Sequence, residues 1–119
     1  MNDNAAVISI DCKKNRIRLH RTLLHQLGDP PYVLLLVNPE KRAIAVKALD
    51  HDEDQSHRVN QKLMNTDKSV DIYSHQLILS LCCVVENLDL GHTYHLYGES
   101  VLSERAVVFP MDSLEKVEQ

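Results

Sequence analysis

The sequence predicts a small α+β fold, a β-barrel-like domain made of two strand-helix-hairpin units, and three observations lead there. Apolar and polar residues alternate with period two in several short runs, as half-buried strands require. Two apolar stretches, residues 21–27 and 74–87, instead carry helical spacing, and Gly28 follows the first where a left-handed residue closes a helix. The order strand, helix, hairpin occurs twice, which points to an internal duplication.

In residues 6–12, Ala6, Ile8, Ile10 and Cys12 share one face while Ser9 and Asp11 take the other. Lys13-Lys14-Asn15 is a polar turn. Alternation resumes over residues 16–20, with Ile17 and Leu19 toward the core and Arg16, Arg18 and His20 outward. Residues 21–27 place Leu23, Leu24 and Leu27 on one helical stripe. The continuous apolar run 32–37 (YVLLLV) predicts a strand covered on both faces. Asn38-Pro39-Glu40-Lys41 is a turn, and residues 42–49 return as the second arm of a hairpin.

Residues 50–68 are polar, acid-rich at the start and without strong periodicity. They predict a linker, with Val59, Leu63 and Met64 the only residues in it able to line a short helix. Residues 69–73 recover strand character, and Ser74 is a helix N-cap for an apolar helix reaching about Asn87. Residues 93–97 then read as a strand, 98–105 as a turn, and 106–109 as the return strand, stopped by Pro110. The tail from Met111 predicts fraying or a short helix.

The chain thus divides into a first unit, 1–49, an acidic linker, 50–68, and a second unit, 69–119, packing with the first. IRLHRTLL at 17–24 matches IYSHQLIL at 72–79, with His20 and His75 equivalent, and the return strands RAIAV and RAVVF match as well. Each unit is too small to bury its own apolar face, so the two must share one core.

Composition narrows the function classes. With 119 residues, 44% of them hydrophobic, and a net charge of -4, the chain supports one core and is not a disordered segment. Three glycines and the absence of GxGxxG or GxxxxGK[ST] exclude the usual phosphate-cradling loops. The modest net charge conceals an asymmetry. Through Ala48 there are eight Lys and Arg against four acids, and beyond it five against thirteen. Five of the front-end cations, Lys13, Lys14, Arg16, Arg18 and Arg21, fall within nine residues, a hint of polyanion binding. The acidic stretch 50–54 is a candidate to fold back over that cluster.

Other chemistry finds little support. Cys12, Cys82 and Cys83 have neither disulfide-framework nor zinc spacing and read as reduced, apolar positions. The seven histidines lack metal-ligand spacing, and strand alternation predicts that His92 and His95 point to opposite faces. No GxSxG or HExxH motif is present, so neither an enzyme nor a cofactor or metal site is expected. The N-terminus lacks the basic and apolar segments of a secretory signal and no run is long enough for a membrane span, giving a cytoplasmic expectation.

Residues 6–49 resemble the AbrB/MazE/SpoVT-like swapped-hairpin family. The carrying residues are Ile8-Ser9-Ile10, Lys13-Lys14-Asn15-Arg16-Ile17-Arg18-Leu19, Leu23-Leu24-His25-Gln26-Leu27-Gly28, and the hairpin arms 32–37 and 42–48. Leu19-His20 and Pro30-Pro31-Tyr32 stand where that family usually has Ile-Pro and Gly-Asp. The resemblance implies a dimeric transcription regulator that interleaves hairpins between two units and contacts DNA through Lys13, Lys14, Arg16, Arg18 and Arg21. The alternative is a non-enzymatic protein-interaction module, an antitoxin-like or accessory scaffold, that does not bind DNA, and an acidic protein is a further candidate partner for the basic cluster.

Overall fold

The first two alternating runs form an antiparallel pair, β1 (Ala6–Asp11) and β2 (Arg16–Leu19). Ile8 faces Leu19 and Ile10 faces Ile17, all four fully buried. The computed structural model describes residues 6–59, 69–84 and 91–117. The β1–β2 turn closes with Asn15 in the left-handed region, φ 52°, a conformation Asn tolerates. Asp11 Oδ1 accepts the Lys14 N–H at 3.2 Å, and the Asn15 carbonyl accepts the Ser74 N–H at 2.9 Å. The paired lysines therefore sit on a turn fixed from two sides.

Helix α1 (Arg21–Gln26) buries Leu23 and Leu24 against the sheet. It ends at Gly28, φ 81°, whose N–H bonds to the His25 carbonyl. Strands β3 (Tyr32–Asn38) and β4 (Ala43–Leu49) make the first hairpin. The apolar run of β3 is not covered on both faces as predicted. Val33 and Leu35 are buried but Leu36 is 47% exposed, because only one side of the strand meets the core. The free edge of β3 is instead met by β5 (His57–Arg58), and Val59 is buried beside it, its N–H bonded to the Pro31 carbonyl. Residues 50–68 are thus not linker throughout: an unpaired strand edge recruits part of them. Leu63 and Met64 lie outside the described residues.

Strand β6 (Val70–Tyr73) pairs with β2, and Ser74 caps α2 (His75–Val84), its Oγ accepting the Leu77 N–H at 3.2 Å. The predicted extension of this helix to Asn87 lies outside the described residues. Strand β7 (Thr93–Val101) runs straight through Gly98, where the sequence suggested a turn. A Cβ at Gly98 would lie 2.7 Å from Phe109 ring atoms and from Val107 Cγ1, so this glycine makes room for a ring instead of turning the chain. A 3-10 turn at Leu102–Glu104 leads into β8 (Ala106–Pro110). Through residue 117 the tail forms a short 3-10 helix and then an unexpected strand. Met111 is buried, a 3-10 turn follows at Met111–Ser113, and β9 (Glu115–Val117) adds to β7.

The strand order is β5-β3-β4-β8-β7-β1-β2-β6, with β9 on β7, a barrel-like sheet open between β5 and β6. One continuous core fills it, drawing on all strands from β1 to β8 except β5 and on both helices.

The two hairpins share one register. Leu36 opposite Ala45 in the first corresponds to Glu99 opposite Val108 in the second, and Val37 opposite Ile44 to Ser100 opposite Val107. Arg42 and Arg105 occupy the same position before the return strands and both are left-handed, φ 51° and 49°. Their carbonyls accept the N–H groups of Met111 and Ala48 respectively, a reciprocal pair of bonds across β4 and β8. Where matching strands meet, they meet at matching residues: Ile17 lies opposite Ile72, and Ala45 opposite Val108. In the sheet, β8 and β7 thus lie between the hairpin β3–β4 and the pair β1–β2.

Candidate nucleic-acid interface

Strand alternation, having sent Ile8, Ile10, Ile17, Tyr94 and Leu96 inward, leaves a polar outer face across β6, β2, β1, β7 and β9. Register aligns this face in rows. One row runs Asp71, Arg18, Ser9, His95, Glu115, and the next Tyr73, Arg16, Asp11, Thr93, Val117. An open groove of about 890 Å³ lies over these rows, its walls including Lys13, Lys14, Arg16, Arg18, His20, His92, His95 and Lys116.

Of the five cations the sequence singled out, Lys13, Lys14, Arg16 and Arg18 line this groove. Arg21 does not: it lies on the exposed side of α1, where its Nε donates to His25 Nε2 at 2.9 Å. Lys13 and Lys14 are exposed on the turn. The two arginines are already held by acids. Arg18 donates from Nε and Nη2 to the two oxygens of Asp71, at 2.8 and 3.2 Å, and Arg16 donates to Asp11 at 3.1 Å with Asp71 at 3.9 Å. The forked bond to Asp71 raises the Arg18 pKa further, and Arg18 in turn holds the Asp71 carboxyl below the usual carboxylate range. The acids over the cluster are thus Asp11 and Asp71, not the stretch 50–54. Asp50 of that stretch is bound by Arg105 at 3.0 Å, and Asp52 accepts the Ser56 hydroxyl.

The structure adds groups that the sequence did not assign to this surface. Ser9 Oγ and His20 Nε2 are 2.6 Å apart. The rings of His20 and His95 meet edge to face at 5.7 Å, and Tyr97 stacks edge-on against His95 at 6.4 Å. Burial pushes the His20 pKa down, and the neighbouring His95 and Arg18 push it the same way, against a weaker pull from Asp71. His92 and His95 do not diverge as predicted: His92 precedes the first residue of β7, so strand alternation does not govern it, and both line the groove. Lys116 arrives from the tail through β9. The outward phase of His95 was readable from alternation, but its place beside Ser9 depends on the long-range pairing of β7 with β1.

His75, which the sequence aligns with His20, sits elsewhere, its Nδ1 3.1 Å from Asn15 Oδ1. Cys12 is buried and Cys82 half-buried, and neither is in a disulfide. Among the described residues no group of three or more His, Cys, Asp or Glu is placed to hold a metal ion, and no helix is long and apolar enough to cross a membrane. Comparison with protein-family models, curated proteins and solved structures gives no match.

Proposed function

We propose that this chain is a DNA-binding regulator of the AbrB-like swapped-hairpin type, non-enzymatic, with the two units that such proteins assemble as a dimer joined by duplication in one chain. The shared hairpin register and the matched pairing of Ile17 with Ile72 and Ala45 with Val108 support the duplication. The observation that carries DNA binding is the open groove walled by Lys13, Lys14, Arg16, Arg18 and Lys116, where cations outnumber Asp11 in the walls and Asp71 and Glu115 in the row beside them. Cations on a fixed turn and a rigid sheet meet phosphates with little loss of backbone freedom, and arginine adds forked contacts to phosphates or guanine edges.

The ion pairs grade these contacts. Among the described residues the ammonium groups of Lys13, Lys14 and Lys116 make no ion pair with Asp11 or Asp71, and they meet phosphates first. Arg18 binds Asp71 through Nε and Nη2, which leaves Nη1 outside that fork to reach a phosphate.

Anisotropy of a fluorescent duplex measured across salt concentration tests this. A log-log slope of about -3 is expected if the three lysines alone displace counterions, and about -4.5 if both arginines join them. Lys13→Ala/Lys14→Ala lowers the slope by about 2 at equal fold. Absence of duplex binding at low salt overturns the reading and leaves the interaction module that takes an acidic protein.

A further inference from the structure

We propose that Ser9, His20, His95 and Arg18 form a discrete phosphate-binding subsite on the floor of the groove, one that takes up a proton as it binds its anion. The proposal rests on the groove's reading as a nucleic-acid surface and names the point within it where a single phosphate group is seated. Lys13, Lys14 and Lys116 supply a diffuse positive field. The subsite supplies directed donors.

The geometry comes from strand register. Arg18 and His95 are both cross-strand partners of Ser9, on β2 and β7 respectively, so the three side chains stand in one row on three adjacent strands. Side chains so paired have Cβ atoms about 5 Å apart. A tetrahedral oxyanion resting on Ser9 has a guanidinium on one side and an imidazole on the other. His20 completes the seat from the start of α1, its ring 5.7 Å from that of His95. All four residues line the groove and are open to it.

The Ser9–His20 contact makes the seat sensitive to protonation. A neutral imidazole has one donor and one acceptor nitrogen, so Nε2 either accepts the Ser9 hydroxyl proton or donates to its oxygen. Once His20 is protonated, both ring nitrogens donate. Ser9 Oγ then accepts from His20 at 2.6 Å, and its own proton turns to another acceptor, for which an anion in the groove is the natural partner. The bond that ties Ser9 inward in one protonation state presents it outward in the other.

Without an anion the charged state is disfavoured. The groups around His20 are Ser9 and Asp11 on β1, Arg16 and Arg18 on β2, Asp71 on β6, His95 and Tyr97 on β7, Glu115 and Lys116 on β9, and Lys13, Lys14 and His92 on the bordering loops. Asp71 is engaged by Arg18, so it offers His20 little compensation. Burial and the neighbouring positive charges hold His20 toward the neutral form. A bound phosphate reverses that balance by placing negative charge between His20, His95 and Arg18. By linkage, affinity rises as pH falls through the raised His20 pKa of the bound state and levels off below that of the free state.

The test follows the histidine ring resonances of the intact chain by NMR through a pH titration, with and without inorganic phosphate as the probe. Phosphate is expected to raise the apparent pKa of His20 and to perturb the ring resonances of His95, while leaving the ring resonances of His51 and His75 unmoved. Ser9→Ala and His20→Gln, each with a dispersed wild-type-like spectrum, are expected to weaken phosphate binding about tenfold at pH 6, the loss of one charge-assisted bond. Ser9→Ala removes only a hydroxyl and keeps the test intact if His20→Gln fails to fold. Lys13→Ala/Lys14→Ala weakens duplex binding but preserves the phosphate-induced shift. If phosphate shifts all histidines equally, or none, while the duplex still binds, the subsite is overturned and the nucleic-acid reading stands. If the duplex does not bind but the selective shift occurs, the subsite stands as a free-phosphate or phosphomonoester site.

Discussion

Strands β2 and β6 lie side by side with Ile17 opposite Ile72, and on their inward faces they are nearly interchangeable: Ile17 and Leu19 on one, Val70 and Ile72 on the other, all buried. Their outward faces are opposite in character. β2 presents Arg16 and Arg18, and β6 presents Asp71 and Tyr73. The inward positions are set by a core the two strands share. Outward positions carry no such restraint, so β2 can present the basic floor of a groove while β6 supplies the acid that holds it. The hairpins tell the same story with a packing twist. Gly98 on β7 stands where β3 has Leu35, and Phe109 on β8 stands where β4 has Val46. The volume lost at one position is taken up by the ring at the other.

That exchange gives the largest expected effect. Phe109→Ala is expected to destabilise the fold by about 3–5 kcal/mol, because the ring is fully buried and Gly98 has no side chain with which to collapse into the void. Val46→Ala, at the matching position of the first hairpin, deletes less and leaves Leu35 to relax into the space, with an expected loss of about 2 kcal/mol. Urea unfolding measures both. Equal losses would break the idea that ring and glycine are a compensating pair. Restoring volume at the glycine with Gly98→Ala in the Phe109→Ala background should recover stability, whereas Gly98→Ala alone should cost about 1–3 kcal/mol by overpacking.

Much of this architecture was legible in the sequence because alternation is a local signal. Ile8, Ile10, Ile17 and Leu19 declare their facing within a few residues, and Gly28 closes α1 as its position foretold. The misreadings share a cause. Gly98 looked like a turn and is a packing vacancy, set by Phe109 eleven residues later. β5 and β9 looked like linker and tail because two- or three-residue strands have no periodicity of their own and exist only because an edge of β3 or β7 awaits them. The candidate surface divided the same way. The cluster 13–18 announced itself by charge density, while Ser9, His20 and His95 become a group only when β1 pairs with β2 and β7.

Asp71 is where β6 and β2 meet electrostatically, and it gives the middle-sized effect. Asp71→Asn removes the carboxylate bound by Arg18 and approached by Arg16, with an expected loss of about 1–2 kcal/mol near neutral pH, since the pair is only partly exposed and forked. The sign with pH follows from the direction of its shift. Asp71 has a lower pKa folded than unfolded, so its stabilisation is full above the unfolded value of about 3.9 and is lost as pH falls through the folded one. Thermal unfolding of wild type should therefore steepen below about pH 4, and Asp71→Asn should flatten that limb. The same substitution frees Arg18 and so should tighten duplex binding. Weaker binding in Asp71→Asn would mean that the carboxylate positions Arg18 for its partner.

The smallest effect tests how alike the two hairpins are. Arg42 and Arg105 hold the same left-handed conformation at the same point of the two hairpins, a region that disfavours any side chain. Glycine there relieves the strain but gives up unfolded-chain restriction, so Arg42→Gly is expected to stabilise by about 0.5–1 kcal/mol. Arg105→Gly relieves the same strain yet also loses the contact of Nη1 with Asp50, an exposed pair contributing about 0–1 kcal/mol. Its net gain should accordingly be the smaller. In an Asp50→Ala background that contact is already gone, and the two substitutions should then stabilise equally in denaturant unfolding. A persistent difference would locate a further asymmetry at the hairpin tips. A loss of stability at both positions would show that each arginine's side chain, and not its backbone angle, is what the turn depends on.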